Sequence, residues 1–152
     1  MPMNYPVTVT QHPDCWIVQF IDIPPAITAG QTREEALLNA EDCLDVALLC
    51  LFDDEDQPFP PPPSPGGDAR VSPTAPIAAK LALMIAWRDS GLSKSAFARR
   101  LGKSESEVRN RILNPKHKTA LATLDAAARA LGKRLTIDIV PGTAAEVRDA
   151  AE

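Results

Sequence analysis

The sequence predicts an α+β chain in two parts. The first is a small N-terminal three-stranded antiparallel sheet with one long helix. A proline-rich linker follows, and then an all-α helix-turn-helix domain that ends in a β-strand. Three observations carry this reading: strand-period alternation near the start, a block of prolines in the middle, and two apolar-periodic runs separated by Gly102 near the end. The expected boundaries are 1–56 for the αβ domain, 57–75 for the linker, 76–140 for the helix-turn-helix domain and 141–152 for a tail.

The stretch from Tyr5 to Thr10 is rich in β-formers and stops at a turn, Gln11 to Asp14. Cys15 to Ile21 follows, with Trp16, Val18 and Phe20 in alternation, so a hairpin is expected. Ile23-Pro24-Pro25 breaks the ladder because proline cannot donate to it; Ala26 to Ala29 can form a short third strand before Gly30. Thr32 and Glu35 have the spacing of a capping box. After them Ala36, Leu37, Ala40, Leu44, Ala47, Leu48 and Leu51 recur every three or four residues, which predicts an amphipathic helix of about five turns packed on the sheet. Cys43 and Cys50 lie two turns apart on that helix and read as small core residues; three cysteines without metal spacing make no disulfide framework.

From Asp53 the chain turns polar and proline-rich, the composition of a spacer: semi-rigid at first, flexible at Gly66-Gly67, and too poor in apolar residues to dock the flanking domains. Pro76 then opens a helix reaching about Ser90 that should bury Ile77, Leu81, Met84, Ile85 and Trp87, and Gly91 stops it. Phe97, Ala98 and Leu101 sit at one-turn spacing ahead of Gly102. A second run, Val108, Ile112, Leu113, begins after Ser104, which forms an S-x-x-E capping box with Glu107. Asn114-Pro115 ends that helix, and Thr119 to Leu131 forms a last one closed by Gly132. Leu135 to Val140 alternates as a strand with no neighbour in sequence, so its expected partner is the same strand of a second copy, with Leu135, Ile137 and Ile139 as dimerisation residues.

Charge separates the two halves. Met1 to Ala75 holds two basic and twelve acidic residues, a net −10, whereas Pro76 to Val140 holds thirteen basic and five acidic residues, a net +8, in a chain of −4 overall. A basic module in an acidic protein is the footprint of a polyanion binder, and the acidic half suits a basic partner. On a helix that starts after Ser104, Val108 and Ile112 face inward. Glu105, Ser106, Arg109 and Asn110 then project outward, with Arg109 suited to guanine and Asn110 to adenine in a DNA major groove. Lys94, Lys103, Lys116 and Lys118 flank the helix as phosphate contacts.

Taken together these residues resemble HicB-type antitoxins. The Tyr-Pro-Val strand, the Trp-containing second strand, the Ile-Pro-Pro bend, the Thr-x-x-Glu helix and the proline-rich exit are similar to the N-terminal domain of that family, a small αβ domain related to a degenerate RNase H fold. The stretches Leu113-Asn114-Pro115-Lys116-His117 and Leu131-Gly132-Lys133-Arg134-Leu135 resemble the family's helix-turn-helix form and lambda-repressor-like domains. Three positions depart from the pattern. Pro25-Ala26-Ile27 stands for the usual Pro-Gly-Cys, Lys103 takes a commonly apolar position, and Arg111 stands where a repressor often has a core residue, with Ile112 filling that face.

The resemblance implies the antidote of a type II toxin–antitoxin pair. It would bind a small basic HicA-like mRNA interferase through the N-terminal domain and repress its own operon by binding double-stranded operator DNA, as a homodimer or higher even oligomer. No cofactor and no metal are expected. An RNase H-like nuclease needs several converging carboxylates, and the strands offer only Asp14 and Asp22, so no catalytic residue is assigned. With no stretch of about 20 apolar residues and no apolar leader, the expected location is the cytoplasm, away from membranes. The contrasting reading is a stand-alone transcriptional repressor whose N-terminal domain senses a ligand.

Overall fold

Tyr5, Val7, Val18 and Phe20 are at most 1 % exposed and mark the inner face of the N-terminal sheet. β1 (Tyr5–Gln11) pairs antiparallel with β2 (Trp16–Phe20), in a register that sets Val7 opposite Phe20 and Val9 opposite Val18; β3 (Ile27–Gly30) pairs antiparallel with β2. The Ile-Pro-Pro bend closes as a turn with Ala26 N–H donating to Ile23 O at 2.8 Å, and both end residues are buried. The computed structural model describes residues 3–57 and 59–142, which fall into two compact units, 3–74 with 138–142, and Ala75–Ile137.

α1 (Arg33–Phe52) begins at the expected cap: Glu35 N–H donates to Thr32 Oγ1 at 3.0 Å. Its buried residues, Ala36, Ala40, Leu44 and Leu48, fall four apart and form one stripe. The two alanines at the start of the stripe let the helix approach the sheet closely. An added Cβ at Gly30 would lie 2.4 Å from Ala36 N, so no side chain fits there. Cys43 is half-buried and Cys50 exposed, which corrects their reading as core residues: the stripe runs along the 36–40–44–48 line and leaves both on its flank.

Two expectations are corrected. The sheet has four strands, in the order β3-β2-β1-β4, because β4 (Ala69–Val71) pairs antiparallel with β1, Tyr5 opposite Val71 and Val7 opposite Ala69. The segment read as a spacer is therefore in large part attached to the first unit. Polar bonds hold it where apolar area is scarce. Tyr5 Oη donates to Pro61 O at 2.8 Å, Val9 N–H to Asp68 Oδ2 at 2.9 Å, and Arg70 to Asn4 Oδ1, Asn4 O and Gly66 O. Ser64 donates through its amide and its hydroxyl to Asp22, and Thr74 through the same two groups to Asp45. Burial, with a contribution from the Asp22 charge, pushes the Tyr5 phenol far above its ordinary pKa.

The second unit is helical. α2 (Ala75–Ser90) buries Lys80, Leu81 and Leu83, a face rotated from the expected one, on which Ile77, Met84, Ile85 and Trp87 are only half-buried. α3 (Lys94–Leu101) is capped by Ser93 and closed by Gly102 at φ 66. There Lys103 N–H donates to Ala98 O and Gly102 N–H to Arg99 O, the paired bonds of a Schellman motif. α4 (Glu105–Glu107) starts at Ser104, whose Oγ accepts from Glu107 N–H at 3.1 Å, and runs on as a π-helical turn, Val108–Ile112, sealed by Leu113 N–H on Val108 O at 2.8 Å. α5 (Leu121–Ala130) ends in a second Schellman pair at Gly132 and Lys133. Phe97, Ala98, Val108, Ile112, Leu113, Leu124, Ala127 and Ala128 fill the core between these helices.

The expected strand from Leu135 to Val140 is not a strand in the single chain, and it joins no sheet among the described residues. Leu135 instead packs on the core of the second unit, and its backbone bonds Asp125. Ile137, Ile139 and Val140 are 70, 94 and 72 % exposed.

Candidate functional site

The second unit gathers the residues picked out from sequence onto one helical face. With Val108 and Ile112 buried at 0 and 2 % exposure, Glu105, Ser106, Arg109 and Asn110 are all exposed, two successive pairs one turn apart. Each finds its partner on the same face. Arg109 Nη1 pairs with Glu105 Oε1 at 3.2 Å, Asn110 Nδ2 donates to Ser106 Oγ at 3.1 Å, and Ser95 Oγ on α3 donates to Glu105 Oε2 at 2.8 Å. The Arg109–Glu105 pair is about half exposed on both sides, so water and salt screen it and an incoming phosphate or base edge can replace it at little cost.

The flanking cations divide. Lys103 is tied to Glu107 at 3.1 Å, so the Glu107 carboxylate turns to that lysine and not back to the Ser104 amide, and only half of the expected capping box forms. Lys94 Nζ lies 5.7 Å from the centroid of the Trp87 ring. Lys116, His117 and Lys118 stand exposed on the loop after the π-helical turn; Lys116 N–H donates to Asn114 Oδ1, and His117 Nδ1 lies 3.3 Å from Thr119 Oγ1. Arg99, Arg100, Arg111 and Arg129 add exposed positive charge, with Arg100 donating to Ala130 O and Arg129 to Asp125. That hydrogen bond, before the nearby charges, holds the Asp125 carboxyl below its ordinary pKa.

The first unit carries the opposite charge and a different kind of surface. An open concavity of about 750 Å3 runs beside α1 and β3, its lining mostly apolar, with Ile23, Ile27, Val46 and Leu51, and including the carboxylates Asp42 and Asp54. Ile27 and Val46 are 53 and 62 % exposed. Neither strand-end carboxylate, Asp14 or Asp22, is gathered with other carboxylates among the described residues. Asp14 is exposed in the hairpin turn, both oxygens of Asp22 are taken by Ser64, and among the described residues no group of three His, Cys, Asp or Glu could hold a metal ion.

Residues 4–82, which hold the whole four-stranded sheet and α1, match the family described as HicB_like antitoxin of bacterial toxin-antitoxin system. The chain belongs to the HicB-like antitoxin family. Curated relatives agree along nearly the full length. It is 36 % identical over 139 residues to Antitoxin HicB of Escherichia coli, covering 91 % of this chain and 100 % of the relative. It is 41 % identical over 135 residues to Antitoxin HicB 2 of Photorhabdus laumondii, covering 89 and 95 %. With Antitoxin HicB of Pseudomonas fluorescens it shares 31 % over 137 residues, covering 90 and 93 %.

In this HicB-like antitoxin, sequence reasoning passed over one side chain of the second unit. Lys80 counts among the basic residues, yet it is 2 % exposed and contributes nothing to the outer charge. The signal was present: a cation stands on an apolar helical face, between Ile77 and Leu81. Of the three residues read as dimerisation contacts, Leu135 is engaged with its own unit while Ile137 and Ile139 are exposed. Among the described residues no helix is long and apolar enough to cross a membrane.

Proposed function

We propose that this antitoxin neutralises a small, basic, HicA-like mRNA interferase through its first unit and represses its own operon by binding operator DNA through the helix-turn-helix of its second, acting in the cytoplasm as a homodimer or higher even oligomer and catalysing no reaction itself. The observation that carries the reading is the charge split. All twelve acids and two bases of residues 1–74 lie in one compact unit, while thirteen bases and four acids lie in the other, Ala75–Ile137. An acidic surface can compete for the basic face with which an RNA-cleaving toxin holds its substrate, and an exposed Arg109–Asn110 pair on a capped helix suits base edges. Phosphate contacts from Lys94, Lys103, Lys116 and Lys118 would supply sequence-independent affinity.

The test separates the units. A fragment ending at Thr74 should rescue cells from a co-expressed HicA-like toxin without repressing the operon. The segment from Ala75 onward should bind the operator without rescuing. The apolar concavity on the first unit favours a second reading, a stand-alone repressor with a ligand-sensing domain, and rescue that tracked only with the DNA-binding half would turn the assignment to it.

A further inference from the structure

Lys80 reaches from α2 into the second unit and its ammonium is shared among three oxygens from two other segments. Nζ donates to Arg111 O at 2.5 Å, to Ile112 O at 3.2 Å and to Thr119 Oγ1 at 2.5 Å. The two carbonyls belong to the last residues of the π-helical turn, where a helix runs out of internal donors. The third oxygen belongs to the residue that ends the Lys116–Lys118 loop just before α5. Thr119 Oγ1 in turn stands 3.4 Å from Arg111 O and 3.3 Å from His117 Nδ1. A cation at a helix C-terminus also sits favourably in the helix dipole.

Resting on the DNA-binding reading above, we propose that Lys80 is the positioning residue of the nucleic-acid interface, fixing the helix that presents Arg109 and Asn110 against the loop that presents Lys116 and Lys118. Base contacts and phosphate contacts come from these two separate segments, and discrimination needs both to engage the same duplex in one register. A lysine fits this task better than an apolar residue of equal length because its ammonium carries three donors, one for each of the three oxygens, and so ties the end of the helix and the loop to one point. At 2 % exposure it is out of reach of a phosphate and does not act as a contact. Burial lowers its pKa to about 8, which leaves it mostly charged at neutral pH.

The experiment compares the full chain with Lys80→Met, measuring affinity for the operator and for random DNA across a salt series, below the unfolding transition of both. A second variant, Leu124→Ala, trims the same core without touching the three oxygens. Lys80→Met should lose about tenfold or more on the operator and little on random DNA, as if one base contact had been lost, with the salt slope unchanged. Leu124→Ala should keep the discrimination ratio. Equal losses on both DNAs with a salt slope reduced by about one would make Lys80 a phosphate contact and overturn the proposal. So would an unchanged ratio in Lys80→Met, or an equal fall of the ratio in Leu124→Ala, which would mark a merely structural role. A full chain that bound operator and random DNA alike would instead overturn the DNA-reading assignment on which the proposal rests.

Discussion

The two units close in different ways. In the first, the bonds that complete the fold span most of its length: Tyr5 to Pro61, Val9 to Asp68 and Asn4 to Arg70 are 56, 59 and 66 residues apart. In the second, the helix ends are settled within a few residues, by Ser93 on Ala96, Ser104 on Glu107, and the Schellman pairs at Gly102 and Gly132. Lys80, 31 to 39 residues from its acceptors, and Arg100, 30 residues from Ala130 O, are long-range exceptions. A unit closed by distant partners depends on its last segment; a unit built from local stops depends on its core.

The comparison breaks first at the boundary. A fragment ending at Pro63 lacks β4, the Ser64 donors to Asp22 and the Thr74 donors to Asp45, whereas one ending at Thr74 keeps them all. The shorter should lose cooperative unfolding altogether and the longer retain it, as circular dichroism during heating will show. A cooperative transition in the shorter one would mean that β4 is an ornament. Next come the two cores. Leu44→Ala should destabilise the first unit and Phe97→Ala the second, each by ~2–5 kcal/mol, in separate transitions resolved by hydrogen exchange; transitions that move together would show that the units are not independent.

Smaller effects sharpen the contrast. Arg109→Ala should cost ~1–3 kcal/mol on the operator and leave the melting of the second unit unchanged, since its exposed partner Glu105 adds little to stability. A loss of stability as large as the loss of binding would place Arg109 in the scaffold. The smallest is a pH effect. The folded pKa of Lys80, about 8, lies below its ordinary value. Between the two the unfolded chain holds a proton that the folded chain has released, so stability rises with pH through that window. Relative to Lys80→Met, the wild type should therefore gain about 1 kcal/mol between pH 7 and pH 9 in urea titrations. A flat difference would mean that the three acceptors hold the proton.

What was legible in the sequence follows the same division. Thr32, Ser104 and Gly102 announce themselves locally, because a cap needs a hydroxyl three residues from an amide and a left-handed stop needs glycine. The exposed quartet Glu105, Ser106, Arg109 and Asn110 followed from the buried spacing of Val108 and Ile112. β4 left no such mark: three residues with one buried apolar side chain, Val71, carry too little pattern, and what holds them is a partner strand far away in the chain. Lys80 was hidden for the opposite reason, since charge in a sequence reads as surface until three acceptor oxygens are found around it. The arrest of Leu135 on its own core was likewise invisible to strand periodicity, which reports alternation and not the neighbour that satisfies it.

The strand order β3-β2-β1-β4 has a consequence for synthesis on the ribosome. The third strand is made well before the fourth, and the fourth docks beside the first, so α1 and the hairpin emerge and wait while β1 keeps one side open. Domains generally fold as units, N-terminal first, as the chain is made. The first unit can be finished only after Val71 has left the tunnel, by which time synthesis of the second is under way. A nascent chain stopped at Ser64 would present β1 with a bare edge, open to the matching strand on a neighbouring polysome.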